Sequence, residues 1–181
     1  KQDFDYVIHE AILQEKALAD ILDVNVGASG VDEVNVLPKV VKLIQEIVML
    51  PLQLDSANYE ALEKSARYYN GIPIINSVNG KQESMNKVFP IVKKYGALVI
   101  ALTLDGSDLP KTALEREKIA ERIIKEAKKY GISEERIIVD CLVLTASAQQ
   151  AEVVETLKAV RNIKAKYKIK TALGISNVSF G

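Results

Sequence analysis

Six short aliphatic runs in this 181-residue sequence break off at small polar or acidic side chains. In chain order the breaks are Asp23 and Asn25, Asp55-Ser56, Asn76-Ser77 with Asn79, Thr103 and Asp105, Asp140, and Ser176-Asn177. Any one of them has a plain structural explanation, because Asp, Asn and Ser are ordinary helix caps and loop formers. Their recurrence at corresponding positions is the informative feature. Gathered at one mouth, they would form a neutral-to-acidic pocket rich in amide and carboxylate groups. Such a pocket suits a flat, polar, nitrogen-rich ring. A carboxylate accepts two parallel N–H bonds from an amidine-like edge, and Asn donates and accepts at once. The same set offers no Arg cluster for phosphates, no histidine base and no group of soft metal ligands.

The elements that must position these residues follow from periodicity. Strands are expected at Asp20–Asn25, Leu52–Asp55, Ile72–Ser77, Leu98–Leu104, Ile137–Leu144 and Lys170–Ser176, most of them apolar on both faces. Helices are expected at Asp3–Leu18, Val34–Val48, Ala57–Tyr69, Gln82–Tyr95, Thr112–Tyr130 and Ala148–Tyr167. Thr112 with Glu115, and Ser147 with Gln150, have capping-box spacing. Ile119, Ala120, Ile123, Ile124 and Ala127 make one apolar stripe. Gly71, Gly96 and Gly131 stand where left-handed helix caps belong. A weak repeat runs through these ends: Lys93-Lys94-Tyr95-Gly96 recurs as Lys128-Lys129-Tyr130-Gly131, and Tyr69-Asn70-Gly71 echoes it. Pro90 predicts a kink in its helix.

Strict strand–helix alternation implies right-handed parallel units, hence a βα barrel or a doubly wound sheet. No Gly-x-Gly-x-x-Gly follows the first strand, and Gly27-Ala28-Ser29-Gly30 matches neither a dinucleotide nor a nucleotide-triphosphate loop. The barrel is therefore the better reading. A closed eight-stranded barrel needs ~250 residues, so residues 1–181 read as one α/β domain, a partial barrel of about six parallel strands. The first strand and the last helix, strand and helix are the expected missing pieces. The unpaired sheet edges of such a segment predict aggregation or poor ligand binding when it stands alone.

Composition closes off other classes. Basic and acidic side chains number 24 each, so the formal charge is zero and no electrostatic footprint points to nucleic acid or an anionic membrane. No apolar run approaches the ~20 residues of a membrane span, and Lys1 to Asp5 are too polar for a secretory signal. A cytoplasmic location is the expectation. The single cysteine, Cys141, excludes an intrachain disulfide and a multi-thiolate metal site; it reads as a small buried apolar residue. The single histidine, His9, reads as an ordinary residue of the opening helix, and no bound metal is expected. Lys81 and Lys170 read as surface lysines.

The strand-end segments resemble a known family. Asp20-Ile21-Leu22-Asp23-Val24-Asn25-Val26-Gly27 with Gly30-Val31-Asp32-Glu33, Pro51-Leu52-Gln53-Leu54-Asp55-Ser56 and Ile74-Ile75-Asn76-Ser77-Val78-Asn79-Gly80 are similar to segments of pterin-binding methyltransferase domains. So are Val139-Asp140 with Leu142-Val143-Leu144-Thr145, and Leu173-Gly174-Ile175-Ser176-Asn177-Val178-Ser179-Phe180-Gly181. The resembled domains are the methyltetrahydrofolate-binding domain of cobalamin-dependent methionine synthase and the methyltetrahydrofolate:corrinoid methyltransferases, with dihydropteroate synthase more distant. The resemblance covers essentially the whole chain, and its last motif is the most specific. It implies a (β/α)8 TIM barrel of the pterin-binding type, with these six strands as barrel strands two to seven. Asp55, Asn76 and Asp140 resemble the pterin-holding residues, Asn25 and Ser77 join them as substrate-binding candidates, and Asn177 resembles the asparagine that reaches N5. Leu18 stands where the family usually has a glycine, and Cys141 replaces a common proline.

The implied reaction moves the N5 methyl group of methyltetrahydrofolate to a reduced cobalamin or corrinoid carried by a partner protein or domain. N5 is a poor leaving group and must gain a proton or a strong hydrogen bond as its bond to carbon breaks. The resemblance gives Asn177 the role of that donor. Two alternatives stay open: a non-catalytic folate-binding module and a dihydropteroate synthase-like enzyme. A homodimer is also left open.

Overall fold

The structure, a computed structural model, describes residues 3–106, 109–143 and 150–178, and of residues 150, 151, 177 and 178 the backbone alone. Helices and strands alternate: α1 (Phe4–Lys16), β1 (Leu22–Asn25), α2 (Glu33–Gln45), β2 (Leu52–Asp55), α3 (Tyr59–Tyr68), β3 (Ile74–Val78), α4 (Gln82–Tyr95), β4 (Leu98–Leu102), α5 (Ala113–Lys129), β5 (Ile137–Asp140), α6 (Gln150–Tyr167) and β6 (Lys170–Ala172). The chain clusters into two compact units. One comprises the residues up to Asn76 with Lys94–Leu98; the other comprises Ser77–Lys93 and the residues from Val99 on. In each unit the strands lie in chain order and pair in parallel.

In the first unit, Leu22 and Val24 of β1 and Leu52 and Leu54 of β2 are buried, as are Val36, Leu37, Val40, Val41 and Ile44 of α2. Fully burying a leucine contributes ~1.5–3 kcal/mol, so this apolar layer fixes which side of β1 and β2 turns inward. The helix starts are held locally. The Asp32 carboxylate accepts from Asn35 N at 3.3 Å, and Asn58 Oδ1 accepts from Glu60 N at 3.0 Å and Ala61 N at 3.3 Å. Each satisfies amides that the first helical turn leaves unpaired.

In the second unit, β4 and β5 bury Val99, Ile100, Ala101, Ile137 and Val139, and the α5 stripe Ile119, Ala120, Ile123, Ile124 and Ala127 is buried as its spacing predicts. The Thr112–Glu115 capping box is present in both directions: Thr112 Oγ1 accepts from Glu115 N at 3.3 Å and the Glu115 carboxylate from Thr112 N at 3.0 Å. The Ser147–Gln150 pair lies outside the described residues.

Three expectations need correction. Apolar character on both faces holds for β4 but not for β1 and β2, where burial alternates residue by residue. Polar side chains there bond to one another along the less buried face, which offsets their lack of apolar cover. Strand β5 stops at Asp140 rather than Leu144, because Leu142 takes φ 54°, a left-handed backbone that cannot continue a strand. Strand β6 stops at Ala172 rather than Ser176, giving way to a tight 3-10 turn over Ile175–Val178. Helix α4 runs on through Pro90. Gly96 and Gly131 take the expected left-handed φ of 59° and 78°, and Leu18 after α1 takes φ 64° without being glycine.

Candidate functional site

Parallel pairing sets Asn25 of β1 opposite Asp55 of β2, and Asp55 opposite Asn76 of β3. Neighbouring strands lie ~4.8 Å apart, so three side chains at strand ends form one row on one face of the first unit. Asn25 Nδ2 donates to Asp55 Oδ2 at 2.8 Å, and Asn25 Oδ1 accepts from Gly27 N at 2.7 Å. Both ends of the Asn25 amide are thereby engaged, and its role in the row is to orient Asp55. Two residues earlier on the same face, Gln53 Nε2 donates to Asp23 Oδ1 at 2.6 Å. The polar face is thus a ladder of two rungs.

Burial pushes the Asp55 carboxyl above the usual aspartate range. The N–H of Asn25 opposes that rise, and the charges of Asp23 and Glu33 add to it. No other hydrogen bond to the Asp55 carboxylate occurs among the described residues, leaving Oδ1 as an acceptor for a ligand. Next to it the buried Ser56 hydroxyl donates to the Glu33 carboxylate and accepts from Asn58 N at 2.9 Å, while Ser56 N donates to Asn76 O at 3.2 Å. These bonds fasten the loop after β2 to α2, α3 and β3. Asn76 is half-buried. Strand alternation turns Ser77 to the opposite face of β3 from Asn76, so the row contains Asn76 and not Ser77.

In the second unit Asp140 ends β5, between Leu102 of β4 and Ala172 of β6 in the register. Its Oδ1 accepts from Leu142 N at 2.7 Å. Burial pushes this carboxyl up as well, with the Leu142 amide working against the rise. Cys141 is buried, and burial first, then the Asp140 charge, pushes its thiol up to about 12. A thiol in that state is no nucleophile near neutral pH, in keeping with its reading as a packing residue.

Other strand-end residues serve the frame. Asn79 Oδ1 accepts from Lys81 N at 3.0 Å at the start of α4. Asp105 pairs with Arg122 at 2.5 Å. A Cβ at Gly80 would lie 2.7 Å from Arg122 Nη2 and 2.8 Å from Ile119 Cγ2, so a larger residue there would force the Ile119 side chain to shift. His9 lies exposed on α1. The backbone of Asn177 lies in the 3-10 turn after β6; its side chain lies outside the described residues, as do Ser179, Phe180 and Gly181 of the same motif. Among the described residues no three or more His, Cys, Asp or Glu side chains form a group able to hold a metal ion, and no helix is long and apolar enough to cross a membrane.

The sequence matches the family described as Pterin binding enzyme over residues 1–181. The chain belongs to that family. Among curated relatives it is 31% identical over 191 residues to methionine synthase of Mycobacterium tuberculosis, covering 99% of this chain and 16% of that protein. It is 27% identical over 184 residues to methylcorrinoid:tetrahydrofolate methyltransferase of Eubacterium limosum, covering all of this chain and 68% of that protein. This pterin-binding chain therefore spans about a sixth of the methionine synthases it matches. Among solved structures it superposes on dihydropteroate synthase of Yersinia pestis with a TM-score of 0.75 at 16% identity, covering 94% of this chain and 66% of that one. At that identity the likeness shows the fold, a partial (β/α)8 barrel.

One residue of the second unit escaped the sequence reading. Arg116 on α5 is 1% exposed. Its Nε donates to Cys141 O at 2.9 Å and its Nη1 to Thr112 O at 3.3 Å. The signal for it is its spacing: positions 113, 116, 120, 123 and 127 share one helical face, and every other member is Ala or Ile.

Proposed function

We propose that the chain binds methyltetrahydrofolate and presents its N5 methyl group to a reduced corrinoid carried by a partner protein or domain. The observation that carries this reading is the Asn25–Asp55–Asn76 row, in which Asn25 holds one Asp55 oxygen and leaves the other to accept ligand N–H groups. The names of the relatives, a methionine synthase and a methylcorrinoid:tetrahydrofolate methyltransferase, agree with it. In this reading Asp55 and Asp140 accept N–H bonds from the pterin, and Asn76 donates and accepts on the ring edge. Asn177 donates a hydrogen bond to N5 as the N5–methyl bond breaks and the methyl group passes to the corrinoid, strengthening as charge develops in the transition state. The proton that N5 finally carries comes from solvent. The corrinoid, when present, supplies the cobalt that accepts the methyl group. A cytoplasmic location belongs to the same proposal.

The test is a full-length preparation mixed with methyltetrahydrofolate and a reduced corrinoid, with methyl transfer followed by absorbance alongside equilibrium binding. Transfer supports the reading. Binding without transfer to any corrinoid marks a non-catalytic module. Condensation of p-aminobenzoate with a pterin pyrophosphate marks a synthase.

A further inference from the structure

Arg116 is a buried cation that forms no ion pair among the described residues. Burying an unpaired guanidinium costs far more than burying an aliphatic side chain, and the rest of its helical face is Ala and Ile. Its surroundings explain what it holds. Asp140 O accepts from Thr103 N at 3.0 Å and Thr103 Oγ1 at 3.2 Å. Cys141 O accepts from Arg116 Nε at 2.9 Å. Leu142 O lies 3.2 Å from Thr156 Oγ1, whose proton is shared with Glu152 O at 3.0 Å. Three successive carbonyls are therefore held by side chains from the end of β4, from α5 and from α6. The turn they hold is strained, because Leu142 has φ 54° with a branched side chain, a conformation that costs roughly 1 kcal/mol or more. The same turn brings Leu142 N onto Asp140 Oδ1 at 2.7 Å. If the carbonyls were released, Leu142 would relax toward a right-handed or extended backbone, and the Asp140 carboxylate would lose the bond that aims it.

We propose that Arg116, supported by Thr156, is a positioning residue: it holds the Asp140–Leu142 turn in its left-handed form and so keeps one Asp140 oxygen bound to the chain and the other presented to the pterin. This rests on the proposed role of Asp140 as a pterin acceptor.

The experiment measures methyltetrahydrofolate affinity by calorimetry on full-length protein for Asp140→Ala, Arg116→Met, Arg116→Lys and Thr156→Val, and for each of the last three combined with Asp140→Ala. The expected result is a loss on the order of tenfold for Arg116→Met. Arg116→Lys should lose less, since it keeps a donor but not the planar fork. Neither Arg116→Met nor Thr156→Val should weaken binding further once Asp140 is alanine. That non-additivity is a readout a merely structural role would not give. If Arg116→Met does not fold, Thr156→Val and its double variant decide alone. Affinity within twofold of wild type in the Arg116 and Thr156 variants, or losses that add in full to that of Asp140→Ala, would overturn the inference while leaving the pterin role of Asp140 standing. An unchanged affinity for Asp140→Ala would instead remove that role, and the inference with it.

Discussion

Asn25 and Asp55 face each other across β1 and β2, and the Asn25 amide donates to one Asp55 oxygen at 2.8 Å while its own oxygen is held by Gly27 N at 2.7 Å. Asp55 is therefore aimed by a side chain that is itself fixed to the backbone. Asn25→Ala should free the carboxylate to rotate and weaken methyltetrahydrofolate binding, though less than Asp55→Ala, which removes the acceptor itself. A loss of ~1–3 kcal/mol is expected for Asp55→Ala. Titration calorimetry on the two variants gives the order, and Asn25→Ala binding more weakly than Asp55→Ala would contradict the orienting role.

The pH dependence of stability and of binding should run in opposite directions. Burial raises the carboxyls of both Asp55 and Asp140. A group whose folded pKa lies above its unfolded value binds its proton more tightly when folded. Its contribution to stability is full below the unfolded value, 3.8, and is lost as pH rises through the raised folded value. In the proposed role both carboxylates accept ligand N–H groups in their ionised form, so affinity should rise over the same window. Asp55→Asn should remove the Asp55 share of both slopes and leave that of Asp140, so the stability profile becomes shallower and the rise in affinity smaller. Denaturant melts and binding isotherms from pH 3 to 7 would show both; affinity that falls as pH rises would refute the acceptor role.

Leu18 follows α1 with φ 64° and is 87% exposed. Its side chain gains little from packing, while its backbone occupies a region that favours glycine. Leu18→Gly should therefore stabilise the protein by about 1 kcal/mol. A midpoint in chemical denaturation equal to or below that of wild type would show that Leu18 makes a stabilising contact its exposure does not reveal.

How much of this was legible in the sequence depends on whether the physics is local. The α5 stripe and the Thr112–Glu115 box depend on spacing within one helix, and both appear where the spacing puts them. The six strand ends depend on aliphatic runs followed by polar residues, and Asn25, Asp55 and Asn76 fall in one register as their positions suggested. The alternation of Asp23 with Asn25 and of Gln53 with Asp55 was also written in the sequence as a period of two. The aliphatics at Leu22, Val24, Leu52 and Leu54 bury one face only, and the polar alternates pair along the other. Leu142 was not legible, because its left-handed backbone is imposed by Arg116, Thr156 and Asp140 from three separate elements. The partition of Asn76 and Ser77 onto opposite faces required the register, which no single strand contains.

Cys141 is buried with its thiol pushed up to about 12, so it should resist alkylation in the native protein at pH 8. Iodoacetamide should label it only under denaturing conditions, and Cys141→Ala should transfer methyl groups at the wild-type rate with a stability loss of roughly 1 kcal/mol. Rapid labelling of native protein, followed by mass spectrometry, would show an accessible thiolate and contradict its role as a packing residue.

Asn177 is the residue on which the proposed chemistry turns. Its backbone lies in the 3-10 turn that follows β6, whereas Asp55 and Asp140 are the last residues of β2 and β5 themselves. If its amide bonds N5 mainly as the bond to the methyl carbon breaks, Asn177→Ala should slow transfer by on the order of 10²-fold while changing affinity much less. A loop-forming role predicts something else, with stability, affinity and rate declining together. Asn177→Asp separates donor from shape, because an ionised carboxylate can only accept. It should lose most transfer activity near neutral pH and recover part of it as pH falls and the carboxyl becomes a donor. Stopped-flow methylation of a reduced corrinoid, run beside equilibrium binding at each pH, measures both quantities. Wild-type transfer rates in Asn177→Ala and Asn177→Asp would remove Asn177 from the mechanism.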